Sequence, residues 1–145
     1  MAFKSIAIGS DHAGFDLKAK LVEVLRSSGY AVQDLGTNDA TTSVDYPDFG
    51  KAVAEAVASG KADGGVVVCG TGIGISIAAN RVPGVRAGLC HDITSARLCR
   101  EHNDANVLAL GARLIGDVVA KDCLDTFLNT EFAGDRHVRR VEKLG

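Results

Sequence analysis

The sequence VVVCGTGIGIS, residues 66–76, runs from three valines through Cys69 into a loop that has three glycines in five positions. A run of β-branched residues is typical of a strand that is buried on both faces, as in parallel sheets. Gly70, Gly72 and Gly74 allow successive backbone N–H groups to point at one position, next to the N-terminus of a following helix. This stretch therefore predicts a buried strand, an anion-binding loop and a helix of an α/β protein.

The glycine loop is not one of the common nucleotide-binding sequences. It lacks the G-K-[ST] ending of a Walker loop and the G-x-G-x-x-G spacing of a dinucleotide-binding turn. The alternative interpretation is a tight turn between strand and helix in which glycine serves backbone geometry alone. Cys69 immediately precedes the loop, whose positive field favours a thiolate that can act as nucleophile or general base. Considered without the loop, a cysteine at a strand end is more often a structural residue.

Length and composition indicate one globular domain that spans residues 1–145. Apolar residues make up 46% and charged residues 23% of the chain, which is ordinary for a folded protein. The formal net charge of −2 argues against nucleic acid or an anionic membrane surface as the main partner. No apolar run reaches the ~18 residues of a membrane span, and the N-terminal sequence lacks the features of a signal peptide. We expect a cytoplasmic protein.

The rest of the chain alternates short apolar runs with longer stretches of helical period. The runs predict five strands, at residues 5–9, 30–36, 64–70, 86–90 and 106–111. Apolar spacing predicts helices within residues 17–25, 49–57, 72–80, 93–102 and 115–128, followed by a short helical tail after Gly134. This order predicts a five-stranded parallel sheet between two layers of helices, a three-layer αβα sandwich whose ligands bind beyond the carboxyl ends of the strands.

Several polar residues flank the predicted strands. Asp11 and His12 follow the first strand and Arg113 follows the fifth, which places all three at the ligand-binding edge. Asp11 is equally well explained as the cap of the next helix. His102 and Asn103 stand just before the fifth strand, where a histidine at a helix end commonly interacts with the helix dipole. They belong to a site only if they converge on the same edge.

The C-terminal tail is basic, and Arg136 and Arg140 are four residues apart on one helical face. Arginine clusters favour phosphate, although a solvated basic face is an equally good interpretation of this segment alone. A tail that is too short to reach its own strand ends can instead reach those of a second subunit, which would make the site intersubunit.

The other cysteines, Cys90, Cys99 and Cys123, form no C-x-x-C pair and have no histidine at the spacing of a zinc site. We interpret them as small buried hydrophobic residues and predict no metal site.

These features together indicate a protein that binds a phosphorylated small molecule and transfers a proton. At this point the sequence resembles the type B ribose-5-phosphate isomerase family, which includes the galactose- and allose-6-phosphate isomerases. The matching blocks are, in order, IGSDHAGFDLK, DYPDF, ADGGVVVCGTGIGISIAANRVPGVRA, HNDANVLALGAR and DRHVRRV. They span nearly the whole chain, so the resemblance is specific.

The resemblance implies a Rossmann-like fold and a reaction of the pentose phosphate pathway. Ribose 5-phosphate and ribulose 5-phosphate would interconvert through an enediolate, without a metal or an organic cofactor. In this family the cysteine that matches Cys69 is the base that moves a proton between C1 and C2. The amides of residues 70–74 receive the enediolate oxygen, and Thr71 lies near the base. His102 matches the residue that opens the sugar ring, assisted by Asp11 at the ring oxygen.

The resemblance also implies the substrate contacts and a partner. The matching substrate-binding positions, which include three phosphate-binding arginines, are Asp11, His12, Tyr46, Gly70, Thr71, Gly72, Ile73, Gly74, Ser76, Asn103, Arg113, Arg136 and Arg140. Family members form homodimers in which each site takes residues from both chains, with a tetramer as the alternative. The tail, residues 134–145, is therefore predicted to pack on the partner. Some members use a glutamate base within the glycine loop, but here that position is Ile75.

The presence of both Cys69 and His102 favours a self-sufficient ribose-phosphate enzyme. Galactose-6-phosphate isomerase pairs two different subunits, neither with the full set of residues, and allose-6-phosphate isomerase is the other alternative within the family. A nucleotide-binding α/β module is the alternative outside enzymes, and it has no use for these two residues. A cysteine-dependent phosphatase would end its loop with arginine, and CGTGIGIS contains none.

Overall fold

The computed structural model describes residues 3–145, which form five strands and six helices. The strands are β1 (Ser5–Ser10), β2 (Ala31–Asp34), β3 (Gly64–Cys69), β4 (Ala87–Leu89) and β5 (Val107–Gly111). The helices are α1 (Phe15–Ser27), α2 (Tyr46–Ala58), α3 (Ile73–Asn80), α4 (Ile93–Asn103), α5 (Asp117–Asn129) and α6 (Arg136–Glu142). Every strand and helix that the sequence predicts is present.

β3 is the central strand of a sheet with the order β2-β1-β3-β5-β4, and every strand pair is parallel. The register places Val66 beside Ile8 of β1 and Leu108 of β5. All six residues of β3 are buried, which explains the run of β-branched residues before the glycine loop. The prediction of a parallel five-stranded sheet is confirmed.

The two faces of the sheet carry separate hydrophobic cores. Alternate side chains, such as those of Ile8 and Val68, point to one face and pack with α1, α4 and α5. The intervening residues, such as Ala7 and Val67, point to the other face and pack with α2 and α3. Helices therefore cover both faces, and the predicted three-layer αβα sandwich is confirmed. Within residues 3–145, none of the helices combines the length and the apolar character that a membrane crossing needs.

The strand boundaries differ from prediction mainly in the two outer strands of the sheet, β2 and β4. β4 has three residues where five were predicted, and β2 has four where seven were predicted. Each of these strands pairs with one neighbour only, so fewer backbone hydrogen bonds hold its ends in an extended conformation. α5 begins after Gly116, two residues later than the apolar spacing indicated.

The C-terminal tail packs on its own chain. α6 contacts α4, and His137, which is buried, stacks on His102 with the ring centroids 4.5 Å apart. Arg136 and Arg140 are exposed on the same helix. The tail thus has a defined place within one chain and presents its arginines outward, while its packing on a partner stays a prediction.

Candidate active site

The crevice that holds the candidate site lies between β1 and β3. The strand order reverses here, because β2 lies on one side of β1 and β3 lies on the other. Such a switch point leaves a ligand-binding crevice beyond the carboxyl ends of the two strands. The segments that follow these strands are residues 11–14 and the glycine loop at residues 70–74. The Asp11 N–H donates to the Val68 carbonyl at 3.2 Å, so the two segments lie side by side.

Cys69 is the last residue of β3 and is only 4% exposed. Its Sγ accepts a hydrogen bond from the Gly72 N–H at 3.2 Å. Gly72 adopts the left-handed conformation, with φ at +75°, and this turns the loop back toward the strand end. The sulfur therefore lies at the mouth of the loop, where a backbone N–H of the loop donates to it.

Gly72 is required by packing as well as by its backbone conformation. A Cβ at this position would lie 2.6 Å from Leu89 Cδ1 and 2.8 Å from the carbonyl carbon of Leu110. The loop thus crosses β4 and β5 at a distance that only glycine permits. Gly72 is therefore required for the geometry of the turn.

The other two loop glycines face side chains. A Cβ at Gly74 would lie 2.6 Å from two ring carbons of Tyr46, so the tyrosine ring covers the first turn of α3. Gly70 is different, because the nearest atoms to a Cβ there belong to Arg113, at an ordinary contact distance of 3.4 Å. The Arg113 N–H also donates to the Gly70 carbonyl at 2.9 Å. The structure thus brings Tyr46 and Arg113 to the loop, and their contact with a substrate stays a prediction.

Asp11 and His12 form the opposite wall of the crevice. Asp11 is buried, and its Oδ1 accepts from the Gly14 N–H at 3.0 Å. This carboxylate therefore holds the turn before α1. The alternative interpretation of Asp11 as the helix cap is wrong, because the N-cap residue is Gly14 and no side chain caps α1. His12 Nδ1 accepts from the Val44 N–H at 3.1 Å. A neutral ring then carries its proton on Nε2, where it can donate to an anionic ligand.

The hydroxyl groups of the loop differ in what they offer a ligand. Thr71 is exposed and its Oγ1 accepts from the Ile73 N–H at 3.2 Å, so the hydroxyl proton is free for a ligand. Ser76 is buried and its Oγ donates to the Ile73 carbonyl at 2.7 Å. Ser76 thus stabilises the start of α3, and Thr71 is the hydroxyl that faces outward.

The remaining predicted residues lie at the opposite end of the strands, beyond their amino ends. α4 runs back from the carboxyl end of β4 and ends with His102 and Asn103 beside the amino end of β5. The Asn106 side chain accepts from the Arg86 N–H at 2.7 Å, which ties this turn to the start of β4. β5 is five residues long, and at a rise of about 3.3 Å per residue its amino and carboxyl ends are roughly 15 Å apart. One chain does not bring His102 to Cys69.

His137 is a candidate residue that sequence reasoning missed. Its ring lies within 17° of parallel to that of His102. Burial, and after it the charge of Arg136, lowers the pKa of His137 below its ordinary value. Both rings and Arg140 line a cavity of about 270 Å³. The sequence contained a signal for His137. A short helix rich in arginine needs other side chains to pack it against the protein, and His137 and Val141, four residues apart, share one face of that helix.

The donors in the crevice suit an organic anion. They are backbone amides, a thiol, an imidazole and a guanidinium, which together bind anions and can move a proton. Within residues 3–145, no three histidine, cysteine, aspartate or glutamate side chains are grouped so as to hold a metal ion.

Comparison with known proteins gives clear relatives. A sequence model of the family described as Ribose/Galactose Isomerase matches residues 6–144. The chain is 48% identical to ribose-5-phosphate isomerase B of Escherichia coli (strain K12), over 97% of this chain and 94% of that protein. It is 43% identical to D-erythrulose-4-phosphate isomerase of Pectobacterium atrosepticum, over 97% and 93%. The solved structure of Clostridium thermocellum ribose-5-phosphate isomerase B superposes with a TM-score of 0.96 at 57% identity, covering 97% of this chain and 95% of that one.

Proposed function

This chain belongs to the ribose and galactose isomerase family, and we propose that it interconverts D-ribose 5-phosphate and D-ribulose 5-phosphate. Membership makes it a sugar phosphate isomerase, an enzyme that moves a carbonyl group between C1 and C2. Two relatives named ribose-5-phosphate isomerase B, at 57% and 48% identity, support the five-carbon substrate. A relative named for a four-carbon sugar phosphate makes sugar length the point to test. The proposed reaction is a step of the pentose phosphate pathway, and we propose a cytoplasmic location.

The position of the Cys69 sulfur at the mouth of the glycine loop is the observation that carries this proposal. In the proposed reaction, the Cys69 thiolate removes the C2 proton of the open-chain aldose. The electron pair forms the C1–C2 double bond of an enediolate, and negative charge develops on O1. The O2–H proton passes to O1, and the thiol returns the abstracted proton to C1 as the C2 carbonyl forms. Loop amides at the N-terminus of α3 stabilise that charge, and each oxyanion donor is typically worth about 2.7–4 kcal/mol. Thr71, whose hydroxyl proton is free, donates to the same oxygen.

The phosphate group is assigned to the cationic and imidazole side chains. His12 offers its Nε2–H from the wall of the crevice, and Arg113 lies against the glycine loop at Gly70. Arg136 and Arg140 are exposed on α6 and are free to bind an anion that approaches from outside the chain. Guanidinium groups bind phosphate through paired, charge-assisted hydrogen bonds, so these arginines suit the role.

We propose that two chains complete each site in a homodimer. Ring opening is assigned to His102, yet His102 and Asn103 lie at the opposite edge of their own sheet from Cys69. A second chain removes this separation by placing its His102, Asn103 and tail arginines over the first chain's loop. Ile73 and Ile77, next to the loop on α3, are 49% and 52% exposed. Large apolar side chains exposed beside a site are typical of a surface that a partner covers.

A substrate panel tests the proposed reaction. Purified protein, with EDTA present, is given aldose phosphates of four, five and six carbons, namely erythrose 4-phosphate, ribose 5-phosphate, allose 6-phosphate and galactose 6-phosphate. Ketose formation is followed by a colorimetric assay. We expect kcat/KM to be highest for ribose 5-phosphate. A higher value for another aldose phosphate would reassign the substrate, and no turnover of any would overturn the proposed function.

Substitution of the base tests the mechanism. Cys69→Ser and Cys69→Ala are expected to lower kcat by at least about 10²-fold, the usual worth of a general base. Cys123→Ala is the matched control, since Cys123 is also buried but lies in α5, away from the crevice. The control is expected to keep kcat. Wild-type kcat in both Cys69 variants would remove this residue from the mechanism.

A further inference from the structure

Two cysteines that the proposed reaction does not use are in direct contact. Cys90 follows β4 and Cys99 lies within α4, and their sulfur atoms are 3.8 Å apart. Gly88 of β4 permits this approach, because a Cβ there would lie 3.1 Å from Cys99 Cβ and 3.2 Å from Cys99 Sγ. Cys123 of α5 packs in the same core and is completely buried. The contact therefore places two thiols within reach of a disulfide.

The two thiols differ in accessibility. Cys90 is 1% exposed, whereas Cys99 is partly exposed and lines a cavity of about 390 Å³ together with Gly88, Asn103 and Leu144. A small reagent that enters this cavity meets the Cys99 sulfur first and finds Cys90 behind it. Cys99 is thus placed to react first, and Cys90 is placed to react with the product.

The hydrogen bonds of the two thiols favour the same order of reaction, with Cys99 first. The Cys99 S–H donates to the Ala96 carbonyl at 3.2 Å, which leaves the Cys99 sulfur as an acceptor for the Cys90 S–H at 3.8 Å. The hydrogen bond from Cys90, and the nearby charge of Arg100, lower the pKa of Cys99 against the opposing effect of burial. The same hydrogen bond, followed by burial, raises the pKa of Cys90. A thiolate is the nucleophilic form of cysteine. Cys99, which is the more accessible thiol and loses its proton more readily, is therefore assigned as the attacking sulfur, and Cys90 as the resolving one.

We propose that Cys99 and Cys90 are a reactive dithiol that a small hydroperoxide converts into an intramolecular disulfide. The Cys99 thiolate attacks one peroxide oxygen, the O–O bond breaks, and a sulfenic acid forms while the leaving alkoxide or hydroxide takes a proton from solvent water. The Cys90 sulfur then attacks the Cys99 sulfur, the S–O bond breaks, and hydroxide leaves with the Cys90 proton as water. The two thiols lose two electrons in total, and the peroxide gains them.

The disulfide is expected to affect the far end of α4. A disulfide holds its sulfur atoms about 2.05 Å apart, so these atoms have to approach each other by roughly 1.7 Å. His102 lies three residues beyond Cys99 on the same helix. Displacement of a reacting group by about 1 Å can lower a rate by 10²-fold. Formation of the disulfide does not depend on the proposed function, whereas the expected loss of isomerase activity rests on it.

Peptide mapping tests the dithiol directly. The full chain is treated with hydrogen peroxide, alkylated and cleaved with trypsin after Arg86, Arg97 and Arg100. We expect a disulfide between peptides 87–97 and 98–100, reversed by dithiothreitol. In Cys90→Ser, a dimedone adduct is expected on peptide 98–100, because the sulfenic acid then has no resolving thiol. In Cys99→Ser neither product is expected, and the matched control Cys123→Ser should still form the link.

The proposal fails if peroxide oxidises Cys69 while peptides 87–97 and 98–100 stay unlinked, or if Cys123 provides the partner. The effect on activity is measured as the dithiothreitol-reversible loss of ribose 5-phosphate turnover in wild type relative to that in Cys99→Ser, which removes any contribution of Cys69. We expect the reversible loss to be at least tenfold larger, as a ratio of rates, in wild type than in Cys99→Ser. An equal loss in both proteins refutes the coupling to α4. If the chain turns over no sugar phosphate, the mapped link still supports the dithiol while the proposed function fails.

Discussion

Replacement of Gly72 by alanine tests why the loop is built from glycine. A non-glycine residue in the left-handed conformation, here at φ +75°, costs about 1–2 kcal/mol. The new Cβ would also lie 2.6 Å from Leu89 Cδ1 and 2.8 Å from the Leu110 carbonyl carbon. Leu110 cannot move away easily, because its backbone pairs with Val68 in the sheet. Such overpacking typically costs about 1–3 kcal/mol, so the free energy of unfolding should fall by about 2–5 kcal/mol.

Gly70→Ala is the matched control for this prediction. The nearest atoms to a Cβ at Gly70 belong to the flexible Arg113 side chain, at 3.4 Å, so the free energy of unfolding of this variant should change by less than about 0.5 kcal/mol. Both variants keep the backbone N–H, which means that any difference between them reports on conformation and space. Urea denaturation measures the two free energies, and a thermal scan should show a loss of roughly 6–15 °C for Gly72→Ala alone.

Activity adds a second readout. The Gly72 N–H is the donor to Cys69 Sγ, so a shift of the loop moves this donor away from the sulfur. We expect kcat to fall in Gly72→Ala even at temperatures where this variant is fully folded. Gly70→Ala is expected to keep the stability of the wild type. Equal stability of the two variants would refute the steric argument. Full activity in a destabilised Gly72→Ala would refute the link between loop geometry and the base.

Mixing Cys69→Ala chains with Arg136→Ala chains is expected to restore about a quarter of wild-type activity, since half of the random dimers are mixed and each has one intact site; no recovery contradicts the shared site. His102→Ala should slow turnover of ribose 5-phosphate by about 10²–10⁴-fold but spare any turnover of erythrose 4-phosphate, whose phosphorylated O4 cannot close a furanose ring. Equal losses on both sugars argue against ring opening. His137→Ala should lower kcat and His137→Phe should not, because phenylalanine preserves the ring stack. The pKa of His137 is lowered in the folded state, so only the unfolded chain gains this proton as the pH first falls below 6.5 and stability declines. Urea denaturation between pH 8 and 5 should show a weaker pH dependence in His137→Phe than in wild type.

Most of the fold could be predicted because the strands and helices have distinct patterns. Val66, Val67 and Val68 are enclosed by neighbours on both sides of the sheet and on both faces, so their side chains report the central strand directly. The edge strands were predicted less well, because β2 and β4 have half-exposed residues that resemble those of loops. The strand order, and with it the crevice between β1 and β3, has no local sequence signal because it depends on contacts between distant segments.

Some positions of the candidate site residues could also be predicted from the sequence, and others could not. Asp11, His12, Cys69 and Arg113 were predicted correctly to lie at the carboxyl edge, because each follows a strand directly. His102 precedes β5, and a residue before a strand lies at the amino edge, so its separation from Cys69 was in principle readable from its place in the chain. The stack of His137 on His102 was not readable, since it depends on where a short tail helix docks.

The separation of the proposed site residues within one chain constrains how the proposed homodimer can work. The carboxyl ends of the strands carry the glycine loop and Cys69, the proposed base, and the amino ends carry His102, Asn103 and the tail. A twofold axis that brings one chain's amino edge to its partner's carboxyl edge brings the reverse pair together as well, so both sites are completed at once. The His102–His137 stack already forms within a single chain, which means that association joins two preformed halves. Dissociation should therefore abolish turnover without unfolding, and specific activity should fall on dilution below the dimer dissociation constant while the circular dichroism spectrum stays that of the folded chain.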